Sequence, residues 1–266
     1  MRAPRSVGKL EAEGPTARFA VLIDADNAQA SVIEGILAEV ARHGEATVRR
    51  IYGDFTSSRS SSWKGILQKF AIKPVQQFAY TTGKNATDST LIIDAMDLLY
   101  TGKFDGFCLV TSDSDFTGLA TRLREEGLRV LGFGERKTPD AFRNACDKFI
   151  FTEVLRPGAS DGEDAGSDTK VEGPPAPKKA AARAKPPQSF PRKFLLDALE
   201  QSSDEDGWAH LGRFGQYLNK LKPDFDSRVY GYKKLSDLVK AKADLFVTEE
   251  RAIPGQSTKN LYLRAK

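Results

Sequence analysis

The chain has 266 residues, of which 40% are hydrophobic and 29% are charged, and its formal net charge is +4; this length allows one large domain or two ordinary ones. No apolar run approaches the roughly 20 residues that a membrane-spanning helix needs, and the two cysteines are too few for a disulfide framework or a structural zinc site. Residues 1–18 lack the apolar core of a secretory signal, so we expect a cytoplasmic protein that does not enter a membrane.

Residues 18–156 alternate short apolar segments with amphipathic ones, after an N-terminal tail of residues 1–17. β-Branched and aromatic residues predict strands at 18–24, 47–54, 74–80, 106–112, 129–134 and 148–154. Apolar residues spaced by three and four predict helices at 30–44, 61–71, 87–100 and 115–127. This alternation is typical of an α/β domain whose mostly parallel sheet is covered by helices on both faces.

Carboxylates follow two of the predicted strands and begin one predicted helix. They are Asp24 and Asp26 after the first strand, Asp113 and Asp115 after the fourth strand, and Asp88 at the helix start. Because the carboxyl ends of parallel strands meet at one edge of the sheet, we expect several of these side chains to converge there. Converging carboxylates repel one another, and a hard cation such as Mg²⁺ or Mn²⁺ is the natural compensation. A site of this kind supports phosphodiester cleavage.

The same aspartates also have local explanations. Asp26, Asp88 and Asp115 stand where helix caps, turns and helix first turns commonly place an aspartate. Asp94 lies about 120° around its helix from Asp88, given about 100° per residue, and so need not share a pocket wall with it. A phosphatase that uses Asp24 and Asp26 as a nucleophile and an acid is a further alternative.

The segments VLIDADN, GKNATDSTLIIDAMDLL and LVTSDSDFTGLATRLREEGLRVLGFG resemble the NYN domain, a branch of the PIN-like nuclease superfamily, over residues 18–155. The positions that match the family pattern are Asp24, Asn27, Lys84, Asp88, Asp94, Ser112, Asp113, Asp115 and Phe116. The resemblance implies a PIN-like fold and Mg²⁺- or Mn²⁺-dependent cleavage of RNA. The implied catalytic metal ligands are Asp24, Asp88, Asp113 and Asp115, and Asn27 would orient water or substrate. The turn KNATD, which begins with Lys84, is longer than the family's common form.

Six side chains of this first domain are candidates for holding RNA, because aromatic rings stack on bases and cations meet phosphates. They are Tyr52, Arg59, Lys64, Lys84, Arg136 and Lys137. Trp63 lies in the same stretch as Arg59 and Lys64, but its spacing indicates a core-facing helix stripe. The loop with Arg136 and Lys137 fits an ordinary solvated loop as well as it fits a phosphate contact.

Residues 157–189 contain almost no large apolar side chain and predict a disordered linker. Residues 190–266 predict a second domain with helices at 191–202, 207–225 and 230–246 and a C-terminal hairpin, which together make a small α+β, winged-helix-like unit. This range holds 14 Lys and Arg against 11 Asp and Glu, a net charge of +3. The excess weakly favours a polyanionic partner.

The segment GWAHLGRFGQYLNKLKPDFDSRVYGYKKLSDLVKA resembles the LOTUS domain, also called OST-HTH. The resemblance implies binding of RNA or of a protein. The candidate contacts are Arg228, Lys233, Lys234 and Lys240, each of which also fits an ordinary solvated helix face. We therefore predict a metal-dependent ribonuclease joined to an RNA- or protein-binding module, with a non-catalytic RNA-binding adaptor as the alternative.

Overall fold

The computed structural model describes residues 16–56, 62–77, 86–156, 190–252 and 259–266. The chain forms two units, Met1–Cys146 and Asp147–Lys266. The predicted linker 157–189 and most of the predicted N-terminal tail lie outside the described residues. In the part of the chain that is described, no helix combines the length and the apolar character that crossing a membrane requires.

A six-stranded sheet is built from strands within residues 18–151. Its strands are β1 (Arg18–Asp24), β2 (Glu45–Gly53), β3 (Lys73–Gln76), β4 (Gly106–Val110), β5 (Arg129–Gly134) and β6 (Lys148–Phe151), in the order β3-β2-β1-β4-β5-β6. The pairings of β1 with β2 and β4, of β2 with β3 and of β4 with β5 are all parallel. The predicted parallel α/β fold is therefore confirmed.

Helices connect these strands. They are α1 (Ile33–Ala41), α2 (Trp63–Lys69), α3 (Ala86–Tyr100), α4 (Thr117–Glu125) and α5 (Asp140–Ala145). All five residues of β4 and the last six of β1 are buried, as expected for central strands that helices cover on both faces. The strand order reverses between β1 and β4, and such a switch point opens a crevice at the carboxyl ends of the strands.

The second unit packs three helices against a small antiparallel sheet. Its elements are α6 (Arg192–Ser202), α7 (Leu211–Leu221), α8 (Leu235–Ala241), β7 (Ala209–His210), β8 (Phe246–Ala252) and β9 (Lys259–Ala265), with the strand order β7-β9-β8. The two strands of the predicted hairpin are confirmed, and its turn lies outside the described residues. Leu195, Phe214, Leu238 and Leu263 are completely buried in the core of this unit.

Several predicted boundaries are wrong. The third and fourth predicted strands are shorter in the structure, because β3 ends at Gln76 and β4 at Val110; residues 78–80 of the third lie outside the described residues. Helix α5 was not predicted, and the predicted helix 207–225 begins instead with the two-residue strand β7.

Candidate metal centre

Three carboxylates meet at the carboxyl edge of the sheet. Asp88, Asp113 and Asp115 each offer one oxygen, and these three oxygens lie within 4.8 Å of one another. Asp88 stands in the first turn of α3, while Asp113 and Asp115 follow the end of β4. Two elements that are distant in sequence thus bring together three of the predicted site residues.

The loop after β4 fixes two of these carboxylates by its own hydrogen bonds. The backbone N–H of Asp113 donates to Thr111 Oγ1 at 3.1 Å, and Asp113 Oδ1 accepts from the backbone N–H of Asp115 at 2.9 Å. Asp113 is therefore the N-cap of a short 3₁₀ helix, Ser114–Phe116. Phe116 anchors this turn in the core, where it is completely buried.

Asp24 ends β1 and is completely buried. Its Oδ1 accepts from the backbone N–H of Asp26 at 3.0 Å. Its Oδ2 accepts from Asn27 Nδ2 at 2.8 Å and from Thr111 Oγ1 at 2.9 Å. These hydrogen bonds link the loop after β1 to the end of β4 through the Asp24 carboxylate. The contact that the structure gives to the Asn27 side chain is therefore with Asp24. Whether Asp24 is also a metal ligand stays a prediction.

The pKa values report the crowding of negative charge. Burial, followed by the charges of Asp24, Asp113 and Asp115, raises the pKa of Asp88 to about 6. Burial also raises the pKa of Asp24, and hydrogen bonds from Asn27 and Thr111 oppose that shift. A raised pKa means that the charged form of the carboxyl group is disfavoured. A cation bound between such carboxylates would stabilise their charged form.

The donor set fits a hard divalent cation. The converging atoms of Asp88, Asp113 and Asp115 are all carboxylate oxygens, which Mg²⁺ and Mn²⁺ prefer, whereas zinc favours nitrogen and sulfur. Asp88 and Asp113 are half-buried and Asp115 is exposed, so a substrate phosphate could reach a cation held here.

The structure contradicts the predicted role of Tyr52 as a stacking residue. Tyr52 is completely buried, and its hydroxyl donates to a carboxylate oxygen of Asp94. Arg50 donates to the other oxygen of Asp94. The Tyr52 ring therefore has no open face for a base, and Asp94 joins α3 to β2 instead of facing the three carboxylates.

The remaining predicted cations have varied surroundings. Lys64, Lys233 and Lys234 are exposed and Arg136 is half-buried. Lys137 pairs with Glu135 at 3.0 Å, Lys240 with Glu250 at 2.9 Å, and Arg228 with Asp226 at 2.6 Å. Arg59 and Lys84 lie outside the described residues. Roles of these side chains in RNA binding stay predictions.

Sequence reasoning named Ser112 as a match to the family pattern, but it missed the other polar residues that support the site. Thr111 donates to Asp24. Ser112 Oγ accepts from the backbone N–H of Glu135 at 2.8 Å, and Gln29 Nε2 donates to Glu135 Oε1 at 2.8 Å. The only signal was the run TSDSD, whose hydroxyls stand directly before the acids.

Comparison with known families agrees with this geometry. The family model described as the NYN domain matches residues 18–155, and the model described as the OST-HTH/LOTUS domain matches residues 186–258. The comparison with curated proteins gave no match.

Three solved structures are similar to parts of the chain. An uncharacterized protein from Nitrosomonas europaea is 66% identical over 38% of this chain and 92% of its own, with a TM-score of 0.29. A protein of unknown function from Vibrio parahaemolyticus is 18% identical over 52% of this chain and 93% of its own, with a TM-score of 0.44. A protein from Chromobacterium violaceum is 30% identical over 30% of this chain and 84% of its own, with a TM-score of 0.24.

Proposed function

The chain belongs to the NYN domain family and also carries an OST-HTH/LOTUS domain, and from this premise we propose that it is a Mg²⁺- or Mn²⁺-dependent ribonuclease that hydrolyses RNA phosphodiester bonds. The observation that carries the proposal is the convergence of Asp88, Asp113 and Asp115 within 4.8 Å. The position of these carboxylates at the switch point of a parallel sheet also supports the proposal, because ligands bind at that point in folds of this kind.

In the proposed mechanism, Asp88, Asp113 and Asp115 would hold the cation, and Asp24 would be a further ligand. The bound ion would supply Lewis-acid polarisation of the phosphoryl oxygen and a lower pKa for an attacking water. Asn27 and Thr111 fix the orientation of the Asp24 carboxylate through hydrogen bonds. Outer contacts of this kind tune the affinity of a site for its metal.

We propose residues 18–156 as the nuclease domain and residues 190–266 as the RNA- or protein-binding domain. Lys64, Arg136 and Lys137 are the described cations of the first domain that we propose as phosphate contacts. Arg59 and Lys84 stay candidates from the sequence alone, and the cytoplasmic location stays a prediction.

The test is cleavage of RNA by the purified full chain. Structured and unstructured RNAs are incubated with the protein in Mn²⁺ or in EDTA, beside the variants Asp24→Asn and Asp97→Asn. Asp97 is an exposed carboxylate on α3 and serves as the matched control. We expect cleavage only with Mn²⁺, a strong loss in Asp24→Asn, and no change in Asp97→Asn. No cleavage, together with no uptake of Mg²⁺ or Mn²⁺ by calorimetry, would favour the non-catalytic adaptor.

A further inference from the structure

The second unit displays a cluster of aromatic rings and arginines on its small sheet. We call this cluster the wing face and define it as Trp208, His210, Arg251, Tyr262 and Arg264. The Trp208 ring has the guanidinium of Arg251 at 4.8 Å and that of Arg264 at 5.1 Å from its centre. Arg251 also lies 4.5 Å from the centre of the Tyr262 ring, and His210 meets Tyr262 edge-on at 5.4 Å.

Strand alternation places this cluster on the side of the sheet that faces away from the core. Leu263 and Ala209 are paired neighbours in β9 and β7, and both are buried. The adjacent pair, Tyr262 and His210, must point to the opposite side, because successive side chains of a strand alternate between the two faces. Both of these residues are partly exposed, so the wing face is open to solvent.

The charges of the wing face are available to an anion. Arg264 is exposed and forms no ion pair with any residue that the structure describes. Arg251 pairs with Glu249 at 3.2 Å, where the side chains are 38% and 50% exposed. Exposed pairs of this kind hold their partners weakly, so a phosphate can compete with Glu249 for Arg251.

We propose that the wing face binds single-stranded RNA, with bases against Trp208 and Tyr262 and phosphates on Arg251 and Arg264. Rings beside cations are the combination that single-strand binding uses. Base stacking on an aromatic ring is stronger than an exposed cation–π contact. A base can therefore take the place of a guanidinium on a ring and release that arginine to a neighbouring phosphate.

This assignment differs from the one that the sequence suggested for the second domain. Of those predicted cations, Arg228 is held by Asp226 through a bidentate contact and Lys240 pairs with Glu250. The inference takes RNA as the ligand class from the proposed function, and it requires no cleavage.

The test measures RNA binding without cleavage. The full chain carrying Asp113→Asn is kept in EDTA and titrated into a fluorescein-labelled, unstructured RNA of about 12 nucleotides, a length within the range of known single-strand sites. Fluorescence anisotropy then compares this parent with Tyr262→Leu, Tyr262→Phe, Arg264→Gln and Arg192→Gln. Arg192 is an exposed arginine of the same unit that pairs with Asp244 at 3.4 Å, and it is the matched control.

We expect Tyr262→Leu to weaken binding about tenfold, because it removes one stacking ring, and Tyr262→Phe to retain binding. Arg264→Gln should weaken binding and lower the slope of log K against log salt by about 1, and Arg192→Gln should change neither. Unchanged affinity in Tyr262→Leu and Arg264→Gln would overturn the proposal, as would affinity losses that only follow a lower melting temperature. If the wing-face variants weaken RNA binding as expected but the parent chain cleaves no RNA in Mn²⁺, the proposed nuclease activity is overturned and the wing-face proposal stands.

Discussion

Asp113 combines a local and a functional task in one side chain. Its Oδ1 accepts the backbone N–H of Asp115 and caps the 3₁₀ helix, which is the ordinary task of an aspartate at this position. The same carboxylate belongs to the group of Asp88, Asp113 and Asp115, which converge at the carboxyl edge of the sheet. We call these three carboxylates the acidic rim. The cap orients the carboxylate that the proposed cation needs, so the two interpretations of the sequence are compatible.

Asp113→Asn separates these two tasks. The amide oxygen of asparagine can still accept from Asp115, so we expect the fold and the melting temperature to be retained. The negative charge is lost, and we expect Mn²⁺-dependent RNA cleavage to fall at least about a hundredfold, as the loss of a metal ligand predicts. Initial rates on a labelled RNA measure this, with Asp97→Asn as the control. Cleavage at the parent rate in Asp113→Asn would contradict the assignment.

Asp88 makes the stability of the metal-free protein depend on pH. Its pKa is raised to about 6 from 3.8, so between these values the folded chain binds more protons than the unfolded chain. Stability must then fall as the pH rises from about 4 to above 6. In EDTA at pH 7.5 we expect Asp88→Asn to be more stable than the parent by about 1 kcal/mol, after discounting for the solvent exposure of Asp88.

Thermal melts of Asp88→Asn and the parent at several pH values check this. The difference in melting temperature should shrink towards zero below about pH 4, because the Asp88 carboxyl of the unfolded chain, whose ordinary pKa is 3.8, then becomes protonated as it already is in the folded chain. If the parent is as stable as Asp88→Asn at pH 7.5, the negative charge of Asp88 does not destabilise the metal-free protein. That result would contradict the prediction.

At the scale of elements, α3 connects the site to the sheet. Its first turn carries Asp88, and Asp94 further along accepts from Arg50 and Tyr52 of β2. The Arg50 and Asp94 side chains are only 24% and 21% exposed, so their ion pair is shielded from water. This contact fixes the position of α3 and thereby of Asp88.

Removing the Asp94 carboxylate should therefore destabilise the fold. Asp94→Ala leaves the buried Tyr52 hydroxyl and the half-buried Arg50 without their acceptor, and we expect a loss of about 2–3 kcal/mol in the free energy of unfolding. Tyr52→Phe removes one hydrogen bond and leaves the ion pair, so about 1 kcal/mol is expected. Urea titrations measure both values. Equal losses in the two variants would contradict a role for the ion pair.

Helix α2 ends with an unfavourable backbone conformation. Ala71 has a φ of 50°, in the left-handed region that costs a residue with a Cβ roughly 1–2 kcal/mol. Its side chain is exposed, so little packing is lost when it is removed. We expect Ala71→Gly to stabilise the protein by about 0.5–1 kcal/mol, since relief of strain exceeds the added chain entropy. Urea titration tests this, and a destabilised variant would refute it.

Elements with a strong local pattern were predictable, and elements that depend on distant contacts were not. β1 and β5 were predicted at their observed bounds, because each is a short apolar run between clear boundaries. Helix α5 has only six residues, too few for a helical period to emerge. β7 is a strand only because Ala209 and His210 pair with β9, about fifty residues later, which no local pattern reveals.

The site shows the same division. The sequence predicted that Asp88, Asp113 and Asp115 converge, because acids at the strand ends of a parallel sheet share an edge. It did not predict that Thr111 would bond Asp24 or that Tyr52 would be buried against Asp94. Those contacts depend on the side-chain packing between β1 and β4 and between β2 and α3.

At the scale of the whole molecule, the acidic rim exists only in the folded chain. Asp88 belongs to α3 and Asp113 follows β4, so unfolding separates these carboxylates. A cation that binds this rim binds the folded state and must raise its stability by mass action, by about 2.7 kcal/mol at a hundred times its dissociation constant. Metal binding and the free energy of unfolding are therefore linked, whether or not RNA is cleaved.

We accordingly expect Mn²⁺ to raise the melting temperature of the full chain in a concentration-dependent way. The rise should diminish below about pH 6, because a proton on Asp88 competes with the cation for the same oxygen. Differential scanning calorimetry at constant ionic strength measures the effect, with Asp97→Asn behaving like the parent and Asp113→Asn losing most of the rise. An equal rise in Asp113→Asn would place the bound Mn²⁺ elsewhere on the protein. The affinity of a cation held by three converging carboxylates must fall when one of them loses its charge.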